Sequence, residues 1–296
     1  TYYFNDNTSN SISFQPTSND HGIVAKINSQ GEWQWLNNYS DTVLTSVGVV
    51  SNNQIVVTGM NTNYIVGWDS QAGRERPFVR SINNLGEHIW TEYVERGADT
   101  LNDPGSSNER KMSFNELAID SNGDILITGH YYNFKMAYGN GHVFNSYDFG
   151  NYNLYTYYNS NILVKTSFVA KIDYTGTWNW ATSWDSYTTH SHAFSIDTDS
   201  NNDVFIVGSH YGDIEANNTF LSSGGNENGY VAKLASNGSW IWLKGIDCSC
   251  TSSALSVAVD VHDNALITGR YSAPTQMGPI QLTPISGGSD IYFAKI

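Results

Sequence analysis

Phe168-Val169-Ala170-Lys171-Ile172, followed by Gly176 and then Trp178-Asn179-Trp180, is the stretch on which the fold turns. In an extended chain Phe168, Ala170 and Ile172 fall on one face and Val169 and Lys171 on the other, because successive strand side chains point in opposite directions. The pattern recurs as Ile23-Val24-Ala25-Lys26-Ile27, as Tyr230-Val231-Ala232-Lys233-Leu234 and, at the end, as Tyr292-Phe293-Ala294-Lys295-Ile296. A looser copy is Phe78-Val79-Arg80-Ser81-Ile82. We call this the Lys segment. A Trp segment follows it: Gly31 with Trp33 and Trp35, and Gly238 with Trp240 and Trp242, whereas the second copy has Gly86, His88 and Trp90.

Two more segments complete the unit. An Asp segment reads Leu117-Ala118-Ile119-Asp120, Phe194-Ser195-Ile196-Asp197 and Val257-Ala258-Val259-Asp260; the first unit has Val47-Gly48-Val49-Val50 and lacks the Asp. A Gly segment runs Ile55–Gly59, Ile125–Gly129, Val204–Gly208 and Ala265–Gly269. All are short, rich in β-branched or aromatic residues, and bounded by Asn, Asp, Ser and Gly, which is strand chemistry. Asp120-Ser121-Asn122-Gly123-Asp124 and its counterparts read as tight hairpin turns. No long apolar stripe of helical period occurs.

Four strands in a repeat of roughly sixty residues is the sequence form of a β-propeller blade. The expected fold is all-β: a single β-propeller domain over 1–296, with four-stranded antiparallel blades. Its repeats are about 20–77, 78–167, 168–229 and 230–290, with a partial fifth at 291–296. Four to five blades, or an arc of a larger propeller, are the forms that fit, and the unpaired strand at each end of an open arc disfavours it unless a partner chain covers it. Lys segments starting at 23, 78, 168, 230 and 292 are spaced 55, 90, 62 and 62 residues apart, so the second unit carries insertions at about 95–113 and 131–167. Tyr2, Phe4 and Phe14 resemble the segment after a Gly strand, such as Tyr211 to Phe220. Ring closure by the terminal strands, an open arc, and strand exchange between subunits are alternative outcomes. Starting at Thr1 rather than Met fits either processing or excision from a longer chain.

The ordered run of aromatic-Val-Ala-Lys-Ile/Leu, Gly-x-Trp-x-Trp, Ala-x-Asp and Ile-Thr-Gly resembles the SBBP-type β-propeller repeats of bacterial and archaeal secreted and surface proteins. The likeness covers about 20–296 and weakens in the second unit. It implies an extracellular or cell-surface location and carries over no catalytic residue.

Composition narrows the function classes. Lys and Arg total 14 against 28 Asp and Glu, a net charge of −14. That argues against nucleic acid as a partner, because phosphate binding needs clustered Lys and Arg, and against docking on anionic lipid. No apolar run is long enough to insert in a membrane as a helix. Sequons stand at Asn7, Asn38, Asn217 and Asn237. Cys248 and Cys250 are too close in sequence for a long-range disulfide framework, and read as free or locally paired thiols.

Three features carry candidate chemistry. Asp197, Asp199, Asn201 and Asp203 alternate oxygen ligands as a Ca²⁺ loop does, yet lack the Gly and the bidentate Glu of such a loop. They read as a calcium site or as a hairpin turn with side-chain hydrogen bonds. His190 and His192 share one face of a strand and could hold a metal or be structural. The insertion 131–167 is crowded with aromatics. Tyr132, Tyr138, Tyr147, Tyr155, Tyr157 and Tyr158 are its candidate ligand-binding residues, against the alternative that they pack on their own sheet. No hydrolase, metalloprotease, P-loop or dinucleotide motif appears. The expected function is therefore a non-enzymatic surface binding or adhesion module taking protein or glycan. A subunit self-associating through terminal strands, and an extracellular polysaccharide-acting enzyme, are the alternatives.

Overall fold

The computed structural model describes residues 2–5, 11–14, 20–50, 53–64, 74–96, 112–133, 146–155, 164–186, 190–216, 218–285 and 288–296. These form antiparallel strands and turns with no helix among them, so the chain is all-β. The sequence reads as one domain over 1–296, while the fold comprises two compact units, Thr1–Tyr93 and Val94–Ile296.

In the first unit a hairpin pairs Tyr2–Asn5 with Ser11–Phe14. The Lys strand His21–Ile27 pairs with the Trp strand Trp33–Ser40. A four-stranded sheet then runs in the order Thr42–Val49, Ile55–Tyr64, Arg74–Ile82, His88–Tyr93. Among the described residues the second unit holds a small sheet of Tyr152–Tyr155, Ser146–Phe149 and Glu95–Arg96, and three main ones. The first is ordered Met112–Ile119, Ile125–Asn133, Val164–Ile172, Trp178–Ser183. The second has at its centre His190–Thr198, Val204–Ala216, Thr219–Leu234 and Trp240–Cys248. The third is Ser252–Val259, Ala265–Tyr271, Asp290–Lys295.

The sheets are out of phase with the sequence repeat. Each four-stranded sheet takes its Asp and Gly strands from one repeat and its Lys and Trp strands from the next. The cause is local. The connections Asp-to-Gly, Gly-to-Lys and Lys-to-Trp each close an antiparallel pair, whereas the Trp-to-Asp connection leads into a new sheet.

Two glycines of the motif have steric reasons. Asp strands carry a bulge, seen as a register shift at Phe114/Glu116, Ala193/Ser195 and Ala254/Ser256. The bulge drives a backbone carbonyl against the glycine closing the Gly strand. A Cβ on Gly129 would lie 2.0 Å from the Ser113 oxygen, and one on Gly208 1.8 Å from that of His192. The glycine that precedes the Trp strand has a positive φ, +85° at Gly86 and Gly238, and these two form a flat seat for an indole of the preceding sheet. A Cβ on Gly238 would lie 2.7 Å from the ring of Trp180, which donates from Nε1 to the Ser236 carbonyl at 3.1 Å. In the first unit Trp35 sits likewise over Gly86 and donates to Asn84 at 2.9 Å. The recurring Trp is thus a contact between sheets. In the second unit Trp180, Leu126 and Val169 share a core with Tyr230, Ala232, Ile206 and Leu243 of the next sheet.

The Asp strands of neighbouring sheets are also stapled along their edges. Asn115 donates to the Ala193 carbonyl at 2.5 Å, and Glu116 accepts from the Ile196 amide at 3.1 Å. One sheet on, Ser195 and Asp197 accept from the amides of Val257 and Val259 at 3.1 and 2.7 Å. Ser121 and Ser200 in the hairpin turns donate to Asn202 and Asp263 of the following turn. Away from these edges, short strands clasp successive sheets of the second unit: Ile214–Glu215 pairs with Asp185–Ser186, and Thr275–Gln276 with Asp247–Cys248. Tyr147–Asp148 pairs with Glu95–Arg96 in the same way.

Candidate functional site

The calcium reading fails on geometry. Asp199 Oδ1 accepts from the amides of Asn201 and Asp203, both at 2.9 Å, closing the turn on itself. Its Oδ2 meets Lys233 Nζ at 2.8 Å, and Asp203 meets the same nitrogen at 3.1 Å. Asp197 points away, to the Thr198 and Val259 amides. Hence the four groups Asp197, Asp199, Asn201 and Asp203 do not converge, and the positive charge between the carboxylates is the chain's own lysine. Among the described residues no cluster of three or more His, Cys, Asp or Glu is placed to hold a metal ion.

The same lock recurs. Lys171 meets Asp120 at 2.7 Å and Asp124 at 3.0 Å, with Asp120 fully buried. Burial disfavours the Lys171 ammonium, but hydrogen bonds to Asp120 and Asp124 outweigh it and hold its pKa above the usual lysine value. Lys295 meets Asp260 at 2.7 Å, with Asn264 in the second acceptor's place. In the first unit Val50 and Ser81 occupy the Asp and Lys positions, both buried, and the turn keeps the backbone bonds from the Val50 amide to the Gln54 carbonyl and from the Asn53 amide to the Val50 carbonyl. The cation there has moved one residue along: Arg80 replaces the Ala and lies over the Tyr39 ring at 4.6 Å. Much of the chain's recurrent charge is therefore spent on architecture.

Two arrangements in the second unit are not absorbed in this way. The first is a cleft of about 350 Å³ lined by Ser222, Ser223, Asn226, Asn228, Asp247 and Ser249, with Gly224 and Cys248 beside them. It lies where the Gly-to-Lys hairpin of the second sheet meets the end of its Trp strand. Asn226 donates to the Ser249 carbonyl at 3.2 Å, and the Asn228 amide, with its nitrogen assigned to face them, donates to the carbonyls of Glu227 and Cys248 at 3.1 and 3.2 Å. Ser223 accepts from the Gly212 amide at 2.6 Å. Asp247 folds its carboxylate over Gly245, where a Cβ would stand 2.7 Å from Oδ1. One carboxylate, amides and hydroxyls on a cross-braced frame can exchange several hydrogen bonds with a polar ligand. Cys248 is buried and Cys250 exposed, and both are free thiols.

The second arrangement joins His130, His190, His192, Lys165 and Asn115, all half-buried, from the first two sheets of this unit. The Lys165 amide donates to His190 Nδ1 at 3.2 Å. Lys165 Nζ lies 3.3 Å from His192 Nδ1, and Asn115 Nδ2 lies 3.5 Å from His130 Nδ1. The His130 and His192 rings stack 5.6 Å apart. Burial, then the charge of Lys165, then each ring's histidine neighbour push His130 down to about 3 and His192 down to about 4. His190 is lowered by burial and Lys165. The sequence singled out His190 and His192 but not His130, Lys165 or Asn115, which arrive from other strands.

The aromatic insertion is only partly described. Tyr138, Tyr157 and Tyr158 lie outside the described residues. Tyr132 pairs with Lys165 and Tyr155 with Ser146 along their strands, and their side chains also lie outside the description. Tyr147 is buried at 4% exposure with its ring 5.2 Å from that of Tyr131. Beside it Phe149 meets Trp178 edge-on at 4.9 Å. Within the insertion, Ser146–Tyr155 is a hairpin packed on its own sheet and paired with Glu95–Arg96.

No family model matches the chain, and no curated protein matches it. Among solved structures, a protein of unknown function from Bacteroides caccae is similar with a TM-score of 0.40 at 10% identity, over 93% of this chain and 72% of that one. A Hadza microbial sialidase is similar with a TM-score of 0.45 at 12% identity, over 83% of this chain and 47% of that one. This chain thus spans about half the length of that sialidase, and neither likeness bears on what the chain does.

Proposed function

We propose that the chain is a non-enzymatic binding module, exposed outside the cell or on its surface, built on a β-propeller scaffold. The propeller reading is supported by the sheets of the second unit, which follow one another in chain order, stapled along their Asp-strand edges and clasped away from them. The observation that carries the binding reading is the cleft around Asp247, Asn226 and Asn228. Its described lining holds hydroxyls, amides, a single carboxylate and the Cys248 thiol, and no aromatic or aliphatic side chain. This suits a neutral, polyhydroxylated ligand such as a glycan, whose hydroxyls both donate and accept. The net charge of −14 works against an acidic ligand at the same place.

An array of neutral oligosaccharides, probed with the wild-type chain and with Asp247→Ala and Asn226→Ala, tests this. Binding that weakens at least about tenfold in Asp247→Ala supports it, since a hydrogen bond to a charged group contributes about 1.5–3 kcal/mol. Binding unchanged in both variants, or absent across the array, sinks it.

A further inference from the structure

Asn237-Gly238-Ser239 is one of the Asn-x-Ser/Thr triplets of the sequence, and its chemistry is set by the turn that holds it. The triplet lies at the tip of the hairpin between Thr219–Leu234 and Trp240–Cys248. The Ala235 amide donates to the Ser239 carbonyl at 2.8 Å and the Gly238 amide to the Ala235 carbonyl at 2.9 Å, with Gly238 at φ +85°. Trp180 of the preceding sheet anchors the turn by donating to the Ser236 carbonyl. Asn237 is exposed, and its Oδ1 accepts from the Ser239 amide at 3.0 Å and from the Ser239 hydroxyl at 2.7 Å. A backbone amide can only donate, so the oxygen branch of the carboxamide is the one held by Ser239. The other branch, Nδ2, has no hydrogen-bond partner among the described residues.

Asn38-Tyr39-Ser40 is held differently. Asn38 lies inside the strand Trp33–Ser40, opposite Ile23, and its Oδ1 meets His21 Nδ1 at 2.8 Å. Side chains two residues apart on a strand are about 6.7 Å apart, so the Ser40 hydroxyl does not close on the Asn38 carboxamide. Asn7 and Asn217 lie outside the described residues. We propose that Asn237 is a glycosylation site, which takes an oligosaccharide on Nδ2 from a polyprenyl-pyrophosphate-linked donor. The proposal rests on the part of the functional reading that places the chain outside the cell. In the transfer Nδ2 bonds to the anomeric carbon of the first sugar and the bond from that carbon to the pyrophosphate oxygen breaks. The pyrophosphate leaves with the electron pair, and one hydrogen of Nδ2 leaves as a proton. Trp240 and Asp247 stand near opposite ends of their strand, about 23 Å apart by strand rise, so an oligosaccharide on this turn leaves the Asp247 cleft open.

The test incubates the folded chain with an asparagine oligosaccharyltransferase that requires only Asn-x-Ser/Thr and with a polyprenyl-pyrophosphate-linked oligosaccharide. Intact mass and peptide mapping read the result, and a synthetic peptide copying 234–242 is the unfolded control. The expected result is an oligosaccharide on Asn237 and none on Asn38. Asn237→Gln and Ser239→Ala lose it, and Ser239→Thr keeps it. Asp173 Oδ1 accepts from the Thr175 amide and hydroxyl at 2.9 and 2.6 Å in the same manner, so Asp173→Asn should add a second oligosaccharide there. The proposal is overturned by modification of the peptide alone or of neither, by Asn38 modified as fully as Asn237, by modification that persists in Ser239→Ala, or by an Asp173→Asn chain that gains nothing. The reaction does not depend on where the chain resides or on what the Asp247 cleft binds, so its failure leaves the functional reading standing, and failure on the oligosaccharide array leaves this site standing.

Discussion

Replacing Lys171 by Met isolates what the Lys–Asp lock contributes. The side chain keeps its length and loses its charge, while Asp120 remains fully buried and Asp124 half-buried. Leaving buried carboxylates without their cation costs about 3–5 kcal/mol, whereas replacing a whole buried ion pair with compatible neutral groups is often close to neutral. The chain contains the neutral version already, with Val50 at the Asp position, Gln54 after it and Ser81 at the Lys position. Copying it gives the triple variant Asp120→Val, Asp124→Gln, Lys171→Ser. That variant also loses the two amide bonds to Asp120 Oδ1, from Asn122 and Asp124, at about 1 kcal/mol each. The expected order is wild type, then the triple variant about 2 kcal/mol below it, then Lys171→Met lowest. Urea denaturation followed by far-ultraviolet circular dichroism measures this. A Lys171→Met loss under about 1 kcal/mol, or a triple variant less stable than Lys171→Met, would refute the view of the lysine as counter-ion to a buried acidic turn.

Other outcomes follow from the same structure. His130 has a folded pKa near 3 against about 6.5 unfolded, so the unfolded chain binds more protons between these values. Its contribution is complete above pH 6.5 and shrinks as pH falls, by about 2 kcal/mol at pH 5. His130→Gln should therefore flatten the fall in stability between pH 6.5 and 4, and an unchanged slope in denaturation midpoints contradicts this. Gly129→Ala, which sets a methyl 2.0 Å from the Ser113 carbonyl, should cost about 1–3 kcal/mol or more by the same denaturation assay. Trp180→Phe removes the indole N–H that reaches the Ser236 carbonyl and should cost at least about 1 kcal/mol. Adding Ca²⁺ or a chelator should leave the melting temperature unchanged, because Lys233 stands between Asp199 and Asp203.

The strands were legible because each is a short alternating run between Gly, Asn and Asp, and because the pattern repeats. The role of Trp180 as an inter-sheet contact follows from its place in every unit, but the seat offered by Gly238 shows only in three dimensions. The phase of the sheets was hidden, since a repeating sequence has no marked beginning and only the pairing of hairpins fixes one. Asp197, Asp199, Asn201 and Asp203 misled because alternating oxygens serve a self-bonded hairpin as well as a cation. One signal could have found the lock: Asp120, Asp199 and Asp260 are each followed in the next repeat by a Lys segment that keeps its Lys (Lys171, Lys233, Lys295), whereas Val50 is followed by Ser81. The Asp247 cleft and the His130 cluster were illegible for a simpler reason. Each is assembled from separate strands, and single polar residues on strands carry no periodic mark.

The half-repeat offset also determines where the chain can be lengthened or cut. A complete sequence repeat inserted in tandem would add one whole sheet and leave every junction chemically identical, because each junction already joins the end of one repeat to the start of another. A protease acting in a Trp-to-Asp connection would leave the sheets on either side intact. The same cut between Gly and Lys strands would leave halves of one sheet held only by their shared ladder of hydrogen bonds, as between Gly129 and Phe168. Growth by duplication and tolerance to nicking therefore share one cause: the covalent period and the folded period coincide in length but not in origin.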